Sequence, residues 1–149
     1  MLALQLGTLG FAVTGIDPRP YAHEHPALEA RAGTLEALSD PAERFDAAVA
    51  LSGLATAGAD ADDPWAADAA ALAHLRTLLA PGGLAVLALP AGEGVGGGRA
   101  HYDAERLDAM LDGWDVRERV YLREQDAGTW VRADAPAGRG LALVAAAAG

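Results

Sequence analysis

Asp17 stands at the end of an apolar run, Phe11-Ala12-Val13-Thr14-Gly15-Ile16, and Pro18 follows it directly. Such a run reads as a buried parallel strand. The acid therefore falls at the carboxyl edge of a sheet. A carboxylate there only accepts hydrogen bonds, and a charged acceptor makes the stronger ones, which suits the hydroxyls of a ribose. An acid before a proline is also an ordinary strand-to-turn exit, so the rest of the chain has to decide between the two.

Other residues could carry chemistry. His101 and Tyr102 follow a glycine-rich stretch and precede a helix, near where a substrate would sit. Unperturbed histidine titrates near neutral pH, so a general base is possible there. The competing reading is a capped helix entrance with a surface histidine. Both residues are kept as catalytic candidates. His23-Glu24-His25 has two metal-ligand types, yet no third ligand stands at a sensible spacing. It reads as a polar loop, and no metal site is expected. Glu93 is placed to face either substrate or solvent. Asp60, Asp62 and Asp63 read as a solvated loop and a helix cap, and His74 as an exposed helix position. Trp65, Trp114 and Trp130 read as packing residues.

These residues need a scaffold, and composition bounds it. The chain has 149 residues, enough for one domain with a real core, expected to span 1–149. Hydrophobic residues make up 52%, many of them alanine, so the core should use small side chains packed closely. There is no cysteine, which excludes disulfides and thiolate metal sites. The apolar segment Leu2 to Leu9 is too short to span a membrane and lacks a basic flank, so a cytoplasmic protein is expected. All eleven basic residues are arginine, which we attribute to coding bias. The formal charge of −10 argues against nucleic acid and against an anionic membrane surface.

The elements follow from periodicity. Leu2, Leu6 and Leu9 form a helical stripe, with Gly10 placed to end it. After the Phe11–Ile16 strand, Pro18, Pro20 and Pro26 punctuate a loop. Leu28–Ala32 is a short strand, Gly33-Thr34 a turn, and Leu35–Leu38 one helical turn stopped by Ser39-Asp40-Pro41. Phe45–Leu51 is a buried strand ended by Ser52-Gly53, and 57–63 a loop. Asp63 caps a helix with Pro64 at its first position. Its expected inner face is Trp65, Ala69, Leu72, Leu75 and Leu79. Ala80-Pro81-Gly82-Gly83 stops it and leads into the strand Leu84–Leu89. Pro90–Gly98 reads as a flexible glycine-rich loop. Asp103 caps a second helix, with Leu107, Met110 and Leu111 on one side. From Trp114 the period becomes two: Trp114, Val116, Val120 and Leu122 face one way, interrupted only by Glu118, and Asp115, Arg117, Arg119 and Tyr121 the other. Asp126-Ala127-Gly128 turns into Thr129–Val131, and Leu141–Ala148 closes the chain as an apolar strand.

Alternating strands and helices argue for a parallel sheet covered by helices, here with an antiparallel finish. In that order the chain resembles the class I S-adenosylmethionine-dependent methyltransferases. Three stretches carry the resemblance. VTGIDPRPY at Val13–Tyr21 is similar to the family's second strand, and FDAAVALSGL at Phe45–Leu54 to its fourth. LRTLLAPGGLAVLALP at Leu75–Pro90 is similar to the family's helix–PGG–strand element. The helix from Tyr102 and the Trp114 strand resemble its last αβ step. The implied fold is α/β, a Rossmann-like methyltransferase sheet, mostly parallel with antiparallel carboxyl-terminal strands, truncated at the amino end.

The resemblance also implies roles. The cofactor would be S-adenosylmethionine. Asp17 would bind its ribose hydroxyls, with Ile16 and Pro18 shaping that edge. Thr34 and Leu35 sit where the family contacts adenine. Many members have Asp at the Thr34 position, and Thr accepts more weakly. Leu51 and Ser52 would lie beside the methionine part and the substrate. Two departures bear on this. The family's first strand and glycine-rich loop would fall just upstream of Leu2, and Gly94–Gly98 follows the wrong strand to replace them. The strands at Phe11 and Phe45 would then pair directly, or another chain would fill the gap, or the start codon is misassigned. At Ala55-Thr56, relatives often carry polar or acidic residues. The expected function is methyl transfer to a small-molecule acceptor. The alternative is a repurposed, non-catalytic methyltransferase fold acting as a partner subunit, and a homo-oligomer fits either. A dinucleotide-dependent oxidoreductase suits the antiparallel finish poorly.

Overall fold

The computed structural model describes residues 2–19, 21–38, 40, 42–51, 53–54, 61–96, 99–136 and 138–149. The chain divides into two compact units, Met1–Asp40 and Pro41–Gly149.

In the first unit, α1 (Leu2–Thr8) precedes β1 (Val13–Asp17) and β2 (Leu28–Ala32). The helix ends as its sequence dictates. Gly10 takes φ 95°, its N–H bonds to Gly7 O, and the Phe11 N–H bonds to Leu6 O. Those two bonds close the helix in the Schellman manner, which a left-handed glycine permits. Strands β1 and β2 pair in parallel, Val13 opposite Leu28 and Asp17 opposite Ala32. A single 3₁₀ turn, Leu35–Ala37, follows.

The second unit holds β3 (Phe45–Leu51), α2 (Pro64–Leu78), β4 (Leu79–Ala91), β5 (Val95–Gly96), β6 (Arg99–Ala100), α3 (Ala104–Met110), β7 (Trp114–Asp126), β8 (Thr129–Ala133) and β9 (Gly140–Ala148). Its main sheet runs β3-β4-β9-β7-β8. Strands β3 and β4 are parallel, and the other neighbours are antiparallel. Strands β5 and β6 form a separate small hairpin. The α/β class and the antiparallel carboxyl-terminal strands are therefore as expected. The balance differs from a mostly parallel sheet, because β4 and β7 run long and β9 threads antiparallel between them. The core is built with small side chains. Ala85, Leu87 and Leu89 of β4 are buried with Ala142, Val144 and Ala146 of β9, together with Leu72, Leu75 and Leu78 of α2 and Leu107 of α3. Among the described residues, no helix is long and apolar enough to cross a membrane.

Three details differ from the sequence reading. The inner face of α2 is Asp68, Ala71, Leu72, Leu75 and Leu78, with Ala69 exposed and Leu79 already in β4. The stripe passes through a charged residue that a hydrophobic pattern leaves out. Ala80–Gly83 does not break the strand but bulges within it: Phe45 opposes Leu79, whereas Ala47 opposes Leu84. A Cβ on Gly83 would stand 2.9 Å from Ala80 O and 3.1 Å from Phe45 O, so this bulge needs glycine. In β7 the register shifts between Val116 and Glu118. Val116 opposes Ala146 and Glu118 opposes Ala145, so the extra residue moves Val120 and Leu122 to the face opposite Trp114 and Val116.

The cap of α2 is as read. Asp63 accepts from the Ala66 N–H at 3.1 Å, with Pro64 opening the helix. Asp63→Ala is expected to cost about 1 kcal/mol, seen as a lower urea midpoint with an unchanged m value.

Candidate cofactor-binding site

The parallel pairing of β1 and β2 brings their carboxyl ends together within the first unit. The Gly33 N–H donates to Asp17 O at 3.2 Å, which sets the turn after β2 beside the end of β1. Ile16, Asp17, Pro18, Thr34 and Leu35 thus stand at one edge of the β1–β2 pair. Thr34 is exposed, and its hydroxyl makes no capping bond to the 3₁₀ turn. Leu35 is half-buried.

The Asp17 side chain is 38% exposed and engaged locally. Oδ1 accepts from the Arg19 backbone N–H at 2.9 Å, the turn that an Asp makes with the residue two positions on. The Arg19 guanidinium then closes on both oxygens, Nε to Oδ1 and Nη2 to Oδ2, each at 2.9 Å. The guanidinium bonds and the backbone bond hold the Asp17 carboxyl down at about 2. The same pair raises Arg19 further. Asp17 is thus a fixed anion at any ordinary pH. Arg19 escaped the sequence reading, although an Arg two residues after an Asp across a proline is a local ion-pair spacing.

His25 of the His23-Glu24-His25 segment has a structural task in this unit. Its Nδ1 accepts from the Ala27 N–H at 3.1 Å, and its ring packs on Gly7 of α1.

In the second unit the candidates gather at the carboxyl ends of β3 and β4. Leu51 ends β3 with 55% of its surface exposed. Ser52, Ala55, Thr56 and Asp60 lie outside the described residues, as do Gly97 and Gly98 of the glycine run. The segment after β4 is tied back on itself. Tyr102 N–H donates to Pro90 O, Gly92 N–H to Tyr102 O, and His101 N–H to Gly94 O. A cleft of about 590 Å³ opens there, lined by Gly92, Glu93, Asp103, Ala104, Ala135, Pro136 and Gly138. Glu93 is both exposed and part of this wall. The ring of His101 rests against Gly92 and Gly96.

Tyr102 is 1% exposed, and its hydroxyl donates to Asp68 Oδ2 at 2.6 Å. Burial first, then the bond to Asp68, pushes the phenol far above its ordinary value. A tyrosine held neutral and out of solvent is not a base, so the candidate pair is corrected: Tyr102 anchors this segment and His101 remains the group with acid–base capacity. Asp68 is the residue that sequence reasoning missed here. Its spacing to Leu72 and Leu75 (i, i+4, i+7) puts it on the buried stripe of α2.

The remaining readings resolve locally. Trp65 donates from Nε1 to His101 O at 3.2 Å, and Arg106 stacks 3.8 Å over its ring. Arg76 lies 5.9 Å from the Trp114 ring, and Trp130 is exposed. His74 is half-buried rather than exposed, with Nε2 buried and without a partner among the described residues.

No family model matches the sequence, and no curated protein does. Solved structures match it along nearly its whole length. An S-adenosylmethionine-dependent methyltransferase from Methanosarcina mazei is 17% identical, with a TM-score of 0.64 over 96% of this chain and 85% of that one. A 1,6-didemethyltoxoflavin-N1-methyltransferase from Burkholderia thailandensis, solved with that compound and S-adenosylhomocysteine, is 17% identical. Its TM-score is 0.65 over 97% of this chain and 64% of that one. The N-methyltransferase NodS from Bradyrhizobium japonicum, solved with S-adenosylhomocysteine, is 18% identical, with a TM-score of 0.61 over 91% of this chain. The chain spans 65% of the length of that NodS chain. The fold is that of the class I S-adenosylmethionine-dependent methyltransferases.

Proposed function

We propose that the chain is an S-adenosylmethionine-dependent methyltransferase acting on a small-molecule acceptor, as one domain in the cytoplasm. The observation that carries this is the edge formed by Asp17, Thr34 and Leu35 at the ends of two parallel strands, in a chain with this fold. The donor set fits the adenosine half of the cofactor. Asp17 offers two acceptor oxygens on a part-exposed carboxylate, matched to a vicinal diol. Thr34 offers a hydroxyl to the adenine amino group, and Leu35 an apolar surface to the base. When bound, S-adenosylmethionine supplies a methyl group on a positively charged sulfur. The chain's own contribution is alignment, with His101 as the base where the acceptor must lose a proton. The roles that the resemblance gives Leu51 and Ser52, beside the methionine part and the substrate, belong to the same proposal. A small acceptor agrees with the net charge of −10, which disfavours nucleic acid.

Isothermal titration of the whole chain with S-adenosylmethionine and S-adenosylhomocysteine tests the proposal. Saturable binding of both is expected. A folded sample that binds neither would refute it. A second reading is a methyltransferase-fold subunit without cofactor binding, alone or as a homo-oligomer. One observation favours it: the Arg19 guanidinium already occupies both oxygens of Asp17. The same titration decides between the two.

A further inference from the structure

We infer that Arg19 is a competitive latch on the ribose-binding carboxylate, so that an incoming diol must displace its guanidinium from Asp17. The inference rests on the proposed nucleoside reading of this edge. Three bonds hold the carboxylate, and they are not equivalent. The backbone N–H of Arg19 binds Oδ1 whatever the side chain at this position, so it fixes the orientation of the group. The guanidinium contributes the other two, one to each oxygen, and these are the acceptor positions a vicinal diol needs. With the backbone bond they take three of the carboxylate's roughly four acceptor sites, which leaves too few for a grip on two hydroxyls.

The latch is built to open. The Arg19 side chain is 86% exposed, so its head can return to water without leaving a buried charge behind. Exposed ion pairs of this kind contribute little net free energy, because solvent screens them and ordering two long side chains costs entropy. Arg19 therefore lowers the affinity for a sugar diol without abolishing it. An exposed pair is also screened by salt. This gives an unusual signature: an uncharged nucleoside should bind the wild-type chain more tightly as salt rises, because salt weakens the competitor and leaves the ligand's own hydrogen bonds alone.

The test uses adenosine, which has the diol and no charge, with 2′,3′-dideoxyadenosine as the control lacking it, and the whole chain as wild type, Arg19→Ala and Arg19→Lys. Calorimetric affinities are measured at about 20 mM and about 500 mM salt, a range over which the screening length falls from roughly 20 Å to 4 Å. Arg19→Ala is expected to bind adenosine about twofold to fivefold more tightly at low salt, the effect expected from removing an exposed pair. Its affinity should be flat with salt, while that of the wild type rises. Arg19→Lys, which cannot grip both oxygens, should fall between them. Dideoxyadenosine should bind weakly and equally to all three. If the two substitutions leave adenosine affinity unchanged or weaken it while the diol still matters, Arg19 is not a competitor and the latch is wrong. If adenosine and dideoxyadenosine bind alike to every form, the ribose reading of Asp17 fails and takes the latch with it. Because the side chain is exposed, Arg19→Ala should fold as the wild type does, and the lysine variant provides a second comparison.

Discussion

Asp17→Ala is expected to weaken S-adenosylhomocysteine binding about 10- to 100-fold while leaving the melting temperature within a few degrees of wild type. The size follows from the chemistry of the group. A hydrogen bond to a charged acceptor contributes about 1.5–3 kcal/mol net, and each 1.4 kcal/mol is tenfold in affinity. The carboxylate would accept two bonds from the sugar. The small stability change follows from exposure, because the partner Arg19 is at the surface and loses no buried contact. Asp17→Asn separates geometry from charge. It keeps one acceptor oxygen and the turn, and should bind between wild type and alanine. The pH dependence has a definite sign. Arg19 holds the folded carboxyl down at about 2, below its ordinary value of 3.8. Its contribution to folding and to ligand binding is therefore fully present above pH 3.8 and lost only as pH falls through 2. Affinity should not respond to this group between pH 4 and 8. Calorimetric titration of the three proteins across that range measures both effects. An alanine variant that binds as wild type does would remove Asp17 from the site.

The sequence carried the elements whose causes are local. The Gly10 helix end, the Asp63 cap, the strands Leu28–Ala32 and Phe45–Leu51 and the turn at Gly128 all follow from residues within a few positions of one another. The edge around Asp17 was legible for the same reason, because one apolar run and one glycine turn place its members. What was not legible depends on pairing between distant segments. The Ala80–Gly83 segment carries turn residues, and only the neighbouring strand makes it a bulge inside β4. The β7 pattern looked continuous because a period of two says nothing about where the partner skips a residue. A charge on a helix is ordinarily solvated, so nothing local marks Asp68 as buried, and one of the groups that holds it is Tyr102, 34 residues away. Tyr102 in turn looked like site chemistry because it stands next to His101, whereas its side chain points into the core.

That buried pair gives the second large effect. Tyr102→Phe is expected to destabilise the protein by about 2–3 kcal/mol, a fall of roughly 5–10 °C in melting temperature for a chain of this length. Both residues are fully buried, so removing the hydroxyl takes a short, charge-assisted bond away from the Asp68 carboxyl in a place that water does not reach. The phenyl ring fills the same space, so cavity formation adds little and the loss reports the hydrogen bond itself. The bond also joins α2 to the segment after β4, which is otherwise fastened by backbone bonds at Pro90, Gly92 and Gly94 and by the Trp65 indole. A pH test separates this from ordinary packing loss. Burial and Asp68 raise the folded phenol above its ordinary value of 10. The stabilisation is therefore complete below pH 10 and is lost as pH rises beyond it, because only the unfolded chain then releases the proton. The slope for one such group approaches 1.4 kcal/mol per pH unit. Tyr102→Phe lacks that contribution, so the gap between the two proteins should narrow from pH 8 to pH 11 in urea denaturation. A gap that stays constant over that range would mean that the hydroxyl is not held as described, and a gap below about 0.5 kcal/mol at pH 8 would mean that the bond contributes nothing.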